Sequence, residues 1–257
     1  MVEEIGGRTL KTTGTSLRIL ELILEYDGLA LAELDGMIDG PKSSIHSHLS
    51  TLHQCRYVVR EGDTYVASFR LWSMGQRAKH RYPVKVAEEV VDDLAATTGE
   101  EANFTALEHG RLLIVYGASE GAPLADNDVG VQDEHYLHNT AAGKAILAEM
   151  EREGVEAVID RWGMPQETQA TIRDRDQLLD SLAEISERGY GIVDEESAPG
   201  LVVVGAPVHD ADDTIIGGLS VGGPKYRIDF AALHSEIADE LLEAVEEFER
   251  ALRADRS

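Results

Sequence analysis

The chain has 257 residues, with 23 basic and 48 acidic side chains and a formal charge of −25. That length buries one large core or two modest ones, and no apolar run reaches the ~18 residues of a membrane span. The single cysteine, Cys55, excludes an internal disulfide framework and a cysteine-based zinc site.

The charge is unevenly spread. Residues 1–81 hold 10 basic and 10 acidic side chains, whereas residues 82–257 hold 13 and 38. A chain this acidic is a poor DNA ligand by bulk charge, yet its first third is relieved of that burden. Excess Asp and Glu with few lysines suggests a halophile, because a dense carboxylate surface stays hydrated and repels neighbours when salt screens charge. An acidic protein from an ordinary cell is the alternative.

The start, Met1-Val2-Glu3-Glu4-Ile5, is acidic and lacks the pattern of a signal peptide, so a cytoplasmic location is the default. Residues 1–14 have no period and read as a loose arm. Thr15 or Ser16 can cap a helix running to Tyr26, with Leu17, Leu20, Ile23 and Leu24 apolar. Leu29 to Ile38 reads as a short helix with Leu31, Leu34 and Ile38 inward, and Asp39-Gly40 as a turn.

Gly40 to Leu52 reads as the next helix, with Pro41 suited to its first position. Ile45, Leu49 and Leu52 form one apolar stripe. Ser43, His46, Ser47, Ser50 and Gln54 form the opposite face. Short polar side chains suit a helix pressed against base edges and phosphates. Tyr57–Arg60 and Thr64–Ala67 are β-rich runs joined by the hairpin signal Glu61-Gly62-Asp63. Three helices and a hairpin make a winged helix-turn-helix, although the same pattern serves a small core that binds no nucleic acid.

The run Thr15-Ser16-Leu17-Arg18-Ile19-Leu20, followed by Gly40-Pro41-Lys42-Ser43-Ser44-Ile45-His46, resembles the N-terminal domain of the IclR-type transcription regulators. The resemblance implies a C-terminal effector-binding domain of GAF-like fold, an antiparallel sheet with flanking helices. It implies DNA contacts from Lys42, Ser43, Ser44, His46 and Ser47, with Arg18 and Arg60 beside them. Ser47 stands where many relatives carry Arg, which leaves Lys42 the only strong cation of that helix.

Phe69 to Arg81 reads as a linker helix, with Leu71, Trp72 and Met74 packing on the first domain. Three segments are therefore expected: a winged helix over 1–68, a linker over 69–82 and an effector domain over 83–257. Val84 to Thr98 is a helix stopped by Gly99, with Val86, Val90, Val91 and Leu94 inward. Ala102–Leu107 and Arg111–Tyr116 form a hairpin, and Gly117 to Asp133 reads as a long loop of the kind that is functional or mobile.

His138 to Ala148 starts a helix with Asn139 or Thr140 as cap. Its small first residues, Ala141-Ala142-Gly143, leave backbone amides open to an anion. A helix start packed tightly on a sheet reads equally well. Val155 to Trp162 is a short helix, and another begins at Thr171. The segment Arg188-Gly189-Tyr190, the acidic Asp194-Glu195-Glu196, and the strands Val202–Val208 and Ile215–Pro224 follow. A final helix runs from Phe230 to about Leu252.

His138-x-Thr140-Ala141-Ala142-Gly143-Lys144, Arg188-Gly189-Tyr190 with its acidic cluster, and Leu219-Ser220-x-Gly222-Gly223-Pro224 each match the family. The resemblance thus covers roughly Thr9 to Leu252 with its motifs in order. It implies an effector pocket at Ala141, Ala142, Gly143, Asp194, Leu201, Val203, Ser220 and Gly222. Gly222 stands where many relatives have Ser, which removes a donor. The implied partners are an inverted-repeat operator in double-stranded DNA, a small organic acid or sugar-derived acid, and further copies of the chain in a homodimer or homotetramer.

No cofactor or metal is implied. His46 and His48 point apart on a helix, and Glu134, His135 and His138 are lone loop groups. An enzyme of GAF-like fold with an accessory winged helix, or a protein–protein adaptor, are the competing readings.

Overall fold

The computed structural model describes residues 8–119, 122–123, 134–228 and 230–255. Through Arg81 these form one compact unit, and from Tyr82 onward a second. The chain before Arg8 and the core of the 117–133 loop lie outside the described residues.

The first unit contains α1 (Lys11–Glu25), β1 (Leu29–Ala30), α2 (Leu31–Leu34), α3 (Lys42–Gln54), β2 (Val58–Glu61), β3 (Thr64–Ala67) and α4 (Arg70–Lys79). Its small sheet has the order β1-β3-β2. Ile19, Leu22, Ile23, Leu34, Ile45 and Leu49 close its core.

Expectations for three helices change here. Helix α1 begins at Lys11, inside the stretch read as a loose arm. Thr15 and Ser16 do not cap it: the Thr15 hydroxyl donates to the Lys11 carbonyl at 3.0 Å, and Ser16 Oγ pairs with His48 Nδ1 at 2.8 Å. The stripe it buries includes Ile19 and Leu22, leaving Leu17 and Leu24 exposed. Helix α2 is only one turn, because Leu29 and Ala30 pair with Tyr65 and Thr64 of the wing. Glu33 then accepts from the Ala30 amide at 2.7 Å. Along α4, Trp72 and Met74 do not pack inward; Leu71 does, while Phe69 and Trp72 stack on each other with centroids 5.0 Å apart.

The second unit contains α5 (Val84–Thr98), β4 (Glu101–Glu108), β5 (Arg111–Ser119), β6 (Ala122–Pro123), β7 (His135–Tyr136), α6 (Ala141–Ala148), α7 (Arg152–Trp162), α8 (Arg175–Arg188), β8 (Gly191–Asp194), β9 (Leu201–His209), β10 (Ile215–Pro224), α9 (Phe230–Leu233) and α10 (Glu236–Asp255). A 3-10 turn, Leu137–Asn139, leads into α6. The seven-stranded sheet runs β6-β5-β4-β10-β9-β8, with β7 on β5, and its pairings are antiparallel.

Alternation along the strands assigns the two faces. Ala102, Phe104, Val202, Val204, Ala206, Leu219 and Val221 face α5 and α10 in one core. Helices α6, α7 and α8 build a second core around Leu112, Ile146, Ile159 and Leu182.

Helix α8 starts at Arg175 rather than Thr171. Asp174 caps it, accepting from the Gln177 amide at 2.9 Å, while the Thr171 hydroxyl donates to the Glu196 carbonyl at 2.7 Å. The expected final helix is two pieces, α9 and α10. No helix among the described residues is long and apolar enough to cross a membrane.

Candidate functional site

Two surfaces carry the expected contacts, one on each unit. On the first, Ile45, Leu49 and Leu52 anchor α3 in the core and turn Lys42, Ser43, His46 and Ser47 outward, with Ser44 half-buried. The Ser47 hydroxyl donates to the Ser43 carbonyl at 2.9 Å, so Ser47 offers lone pairs rather than a proton outward. Lys42 Nζ lies 4.0 Å from Asp35. The other two expected cations lean on their own elements. Arg18 pairs with Glu21 at 3.2 Å along α1, and Arg60 donates to the Gly62 carbonyl at 2.9 Å within the wing turn.

On the second unit, the strand register builds the floor of a cavity. Gly191, Gly205, Ser220, Asn103 and Gly117 stand opposite one another across five strands. Val193, Val203, Gly222 and Glu101 form the next row. The start of α6 presses directly on the first row. A Cβ at Gly191 would overlap the Ala141 carbonyl, and one at Gly205 would overlap the Ala142 amide. Beyond the helix start the face opens into a cavity of about 600 Å³, within the range of small-ligand sites.

Six of the eight expected pocket residues line this cavity: Ala141, Ala142, Leu201, Val203, Ser220 and Gly222. Gly143 and Asp194 do not. Gly143 is turned against the preceding 3-10 turn, where a Cβ would collide with Leu137 and Thr140. Asp194 points to Lys225, whose Nζ lies 2.6 Å from its Oδ1.

The lining also contains polar groups outside the expected eight, Glu101, Asn103, Thr105, Thr140 and Glu167, together with Glu134 and His135. The alternation of β4, with Ala102, Phe104 and Ala106 on one face, already places Glu101, Asn103 and Thr105 on the other. Glu167 comes from a segment without secondary structure, and no local pattern marks it.

A buried ion pair braces the site from behind. Lys144 of α6 is 1% exposed, and its Nζ donates to both oxygens of Glu196, at 2.5 and 2.6 Å. Burial pushes the Lys144 ammonium below the ordinary lysine range, and the Glu196 carboxylate opposes that. Lys144 therefore holds the Glu195–Gly200 turn rather than facing a ligand. The hydroxyls of Thr168 and Thr171 grip the same turn through the carbonyls of Glu195 and Glu196.

The cap of α6 also departs from expectation. Thr140 occupies the cap position, but its hydroxyl donates back to the Tyr136 carbonyl at 2.8 Å. The first amides of α6 thus keep their capacity to meet an outside acceptor. Asn139, the other candidate cap, donates instead to Glu167 at 2.7 Å.

Residues 16–62 match the family model for the IclR helix-turn-helix domain, and residues 77–250 match that for the bacterial transcriptional regulator IclR C-terminal domain. The chain is 28% identical over 241 residues to the probable HTH-type transcriptional regulator ArcR of Halobacterium salinarum, covering 92% of each. It is 28% identical over 222 residues to the acetate operon repressor of Salmonella typhimurium, covering 82% of this chain and 79% of that one. The crystal structure of an IclR transcriptional regulator from Alicyclobacillus acidocaldarius shares the fold with a TM-score of 0.77 at 23% identity, over 96% of this chain and 99% of that one.

Proposed function

Because the chain belongs to the IclR family of ligand-responsive, DNA-binding transcription regulators, we propose that α3 reads an operator and that the cavity beside α6 receives the effector. The observation that carries the reading is the pairing of a small-residue helix start with an open sheet face inside one matched domain. The protein then acts by binding alone, in the cytoplasm, and not as an enzyme. A carbon-catabolic operon is the proposed target, which the name of the Salmonella relative supports.

The amides of Ala141 and Ala142 are proposed to take an acid group of the effector, in the manner of helix starts generally. Ser220 supplies a further hydrogen bond, and Leu201 and Val203 form an apolar wall. Operator recognition is assigned to Lys42 for phosphate, with Ser43, Ser44, His46 and Ser47 toward the bases and Arg18 and Arg60 flanking. A homodimer or homotetramer presents this face symmetrically, so the operator is expected to be an inverted repeat.

Lys42→Ala is expected to weaken binding to all sequences and to lower the slope of log affinity against log salt by about 0.9, the signature of one lost phosphate contact. His46→Ala is expected to change sequence preference instead. Fluorescence anisotropy over a salt series separates the two. An unchanged slope for Lys42→Ala sinks the assignment, and a footprint without a dyad sinks the symmetric operator.

Adaptation to concentrated salt is proposed from the −25 charge, and the Halobacterium relative supports it. The melting temperature is then expected to rise steadily as KCl goes from millimolar to molar, because screening relieves carboxylate repulsion. A flat or falling curve in a thermal scan argues for an ordinary acidic protein.

A further inference from the structure

The described lining of the cavity contains Glu101, Glu134 and Glu167 and not one lysine or arginine. Such a surface is poorly matched to a ligand that carries only acid groups. Three of the other polar lining groups, which also include His135, Ser197 and Ser220, lean the same way. Thr105 spends its proton on the Gly218 carbonyl at 3.1 Å, and Thr140 spends its own on the Tyr136 carbonyl. Each then presents only lone pairs. Asn103 turns its amide nitrogen to Glu101 at 3.4 Å, and its Oδ1 is shut off from solvent without a hydrogen-bond partner. Asn103 itself lines the cavity, next to Glu101.

We propose that the effector carries a protonated nitrogen, an ammonium or guanidinium, facing Glu101, Asn103 and Glu167, in addition to the acid group at the start of α6. This rests on the cavity being the effector site. The register supplies a length. Neighbouring strands stand about 4.8 Å apart, so the steps from Gly205 under α6, through Ser220, to Asn103 span about 10 Å. A hydrogen bond at each end leaves room for a short methylene chain between the charges. The class is therefore an amino acid whose nitrogen lies several bonds from its carboxylate, such as an ω-amino or basic amino acid.

Three probes of equal carbon count test this: δ-aminovalerate, glutarate and valerate, titrated calorimetrically into the full chain. δ-Aminovalerate is expected to bind at least about tenfold more tightly than glutarate, a difference of about 1.4 kcal/mol. Glu101→Gln should shrink that ratio severalfold, and Asn103→Asp should widen it, a gain that misfolding cannot imitate. Tighter or equal binding of glutarate, a ratio unmoved by Glu101→Gln and Asn103→Asp, or no binding of δ-aminovalerate overturns the proposal. Operator binding by the untreated parent is read in parallel. Its absence fails the regulator reading, whereas a wrong ligand ranking with operator binding retained fails only the nitrogen assignment.

Discussion

Replacing Glu196 by alanine is expected to destabilise the C-terminal unit by about 3–5 kcal/mol, because it strands a buried ammonium. Lys144 is 1% exposed, and its two hydrogen bonds to Glu196 are the charge compensation its surroundings offer. Arg188 is the nearby cation that worsens the loss, since it disfavours the Lys144 charge. Removing both partners together, as Lys144→Met with Glu196→Leu, should be far milder, since a buried pair replaced by apolar groups is often neutral.

The loss in Glu196→Ala should also depend on pH. A lysine whose folded pKa is depressed binds fewer protons folded than unfolded, so stability rises with pH up to the ordinary lysine value of about 10.4. Denaturant titrations at neutral and alkaline pH give both quantities. A loss below about 1 kcal/mol, the scale of an exposed pair, overturns the account of this brace.

That ion pair shows where reading the sequence stops. A lysine three residues into a helix of alanines carries no local sign of burial, since its partner lies 52 positions away in the acidic cluster. The same cluster misled in the other direction. Asp194, Glu195 and Glu196 look equivalent in sequence, yet Asp194 and Glu195 pair with Lys225 while Glu196 turns inward. What separates them is the turn after β8: the strand ends at Asp194, and Glu195 takes a positive φ of 60°, which breaks the alternation before Glu196.

Period served better wherever one element packs through one face. The Ile45, Leu49 and Leu52 stripe is buried as read, and the two runs of the wing pair as a hairpin. Period failed where tertiary partners override local preference. Leu29 and Ala30 join a ladder instead of starting a helix, and Thr15 back-bonds within α1 instead of capping it. The floor of the cavity was half legible. Gly205, Gly218 and Gly222 mark close approach, but which neighbour approaches follows from the register rather than the sequence.

Ala141→Leu is expected to abolish the effector response while leaving binding to the operator in the absence of effector intact. Ala141 is 2% exposed and lines the cavity at the point where α6 meets the sheet. The helix has no room to retreat toward the sheet, because its carbonyl and amide already press on Gly191 and Gly205. The added carbons of leucine therefore enter the cavity and cover the amides proposed to hold the acid group. Affinity for the effector should fall at least about tenfold, or about 1.4 kcal/mol.

The recognition helix belongs to the other unit and is not touched by this change. Coupling between the sites must be reciprocal, so operator DNA should shift effector affinity in the parent and lose that influence in the variant. Anisotropy of labelled operator, with and without the inducing metabolite, reads the response, and a thermal melt of the variant checks its fold. If Ala141→Leu binds operator and answers the inducer as the parent does, the effector does not sit beside α6.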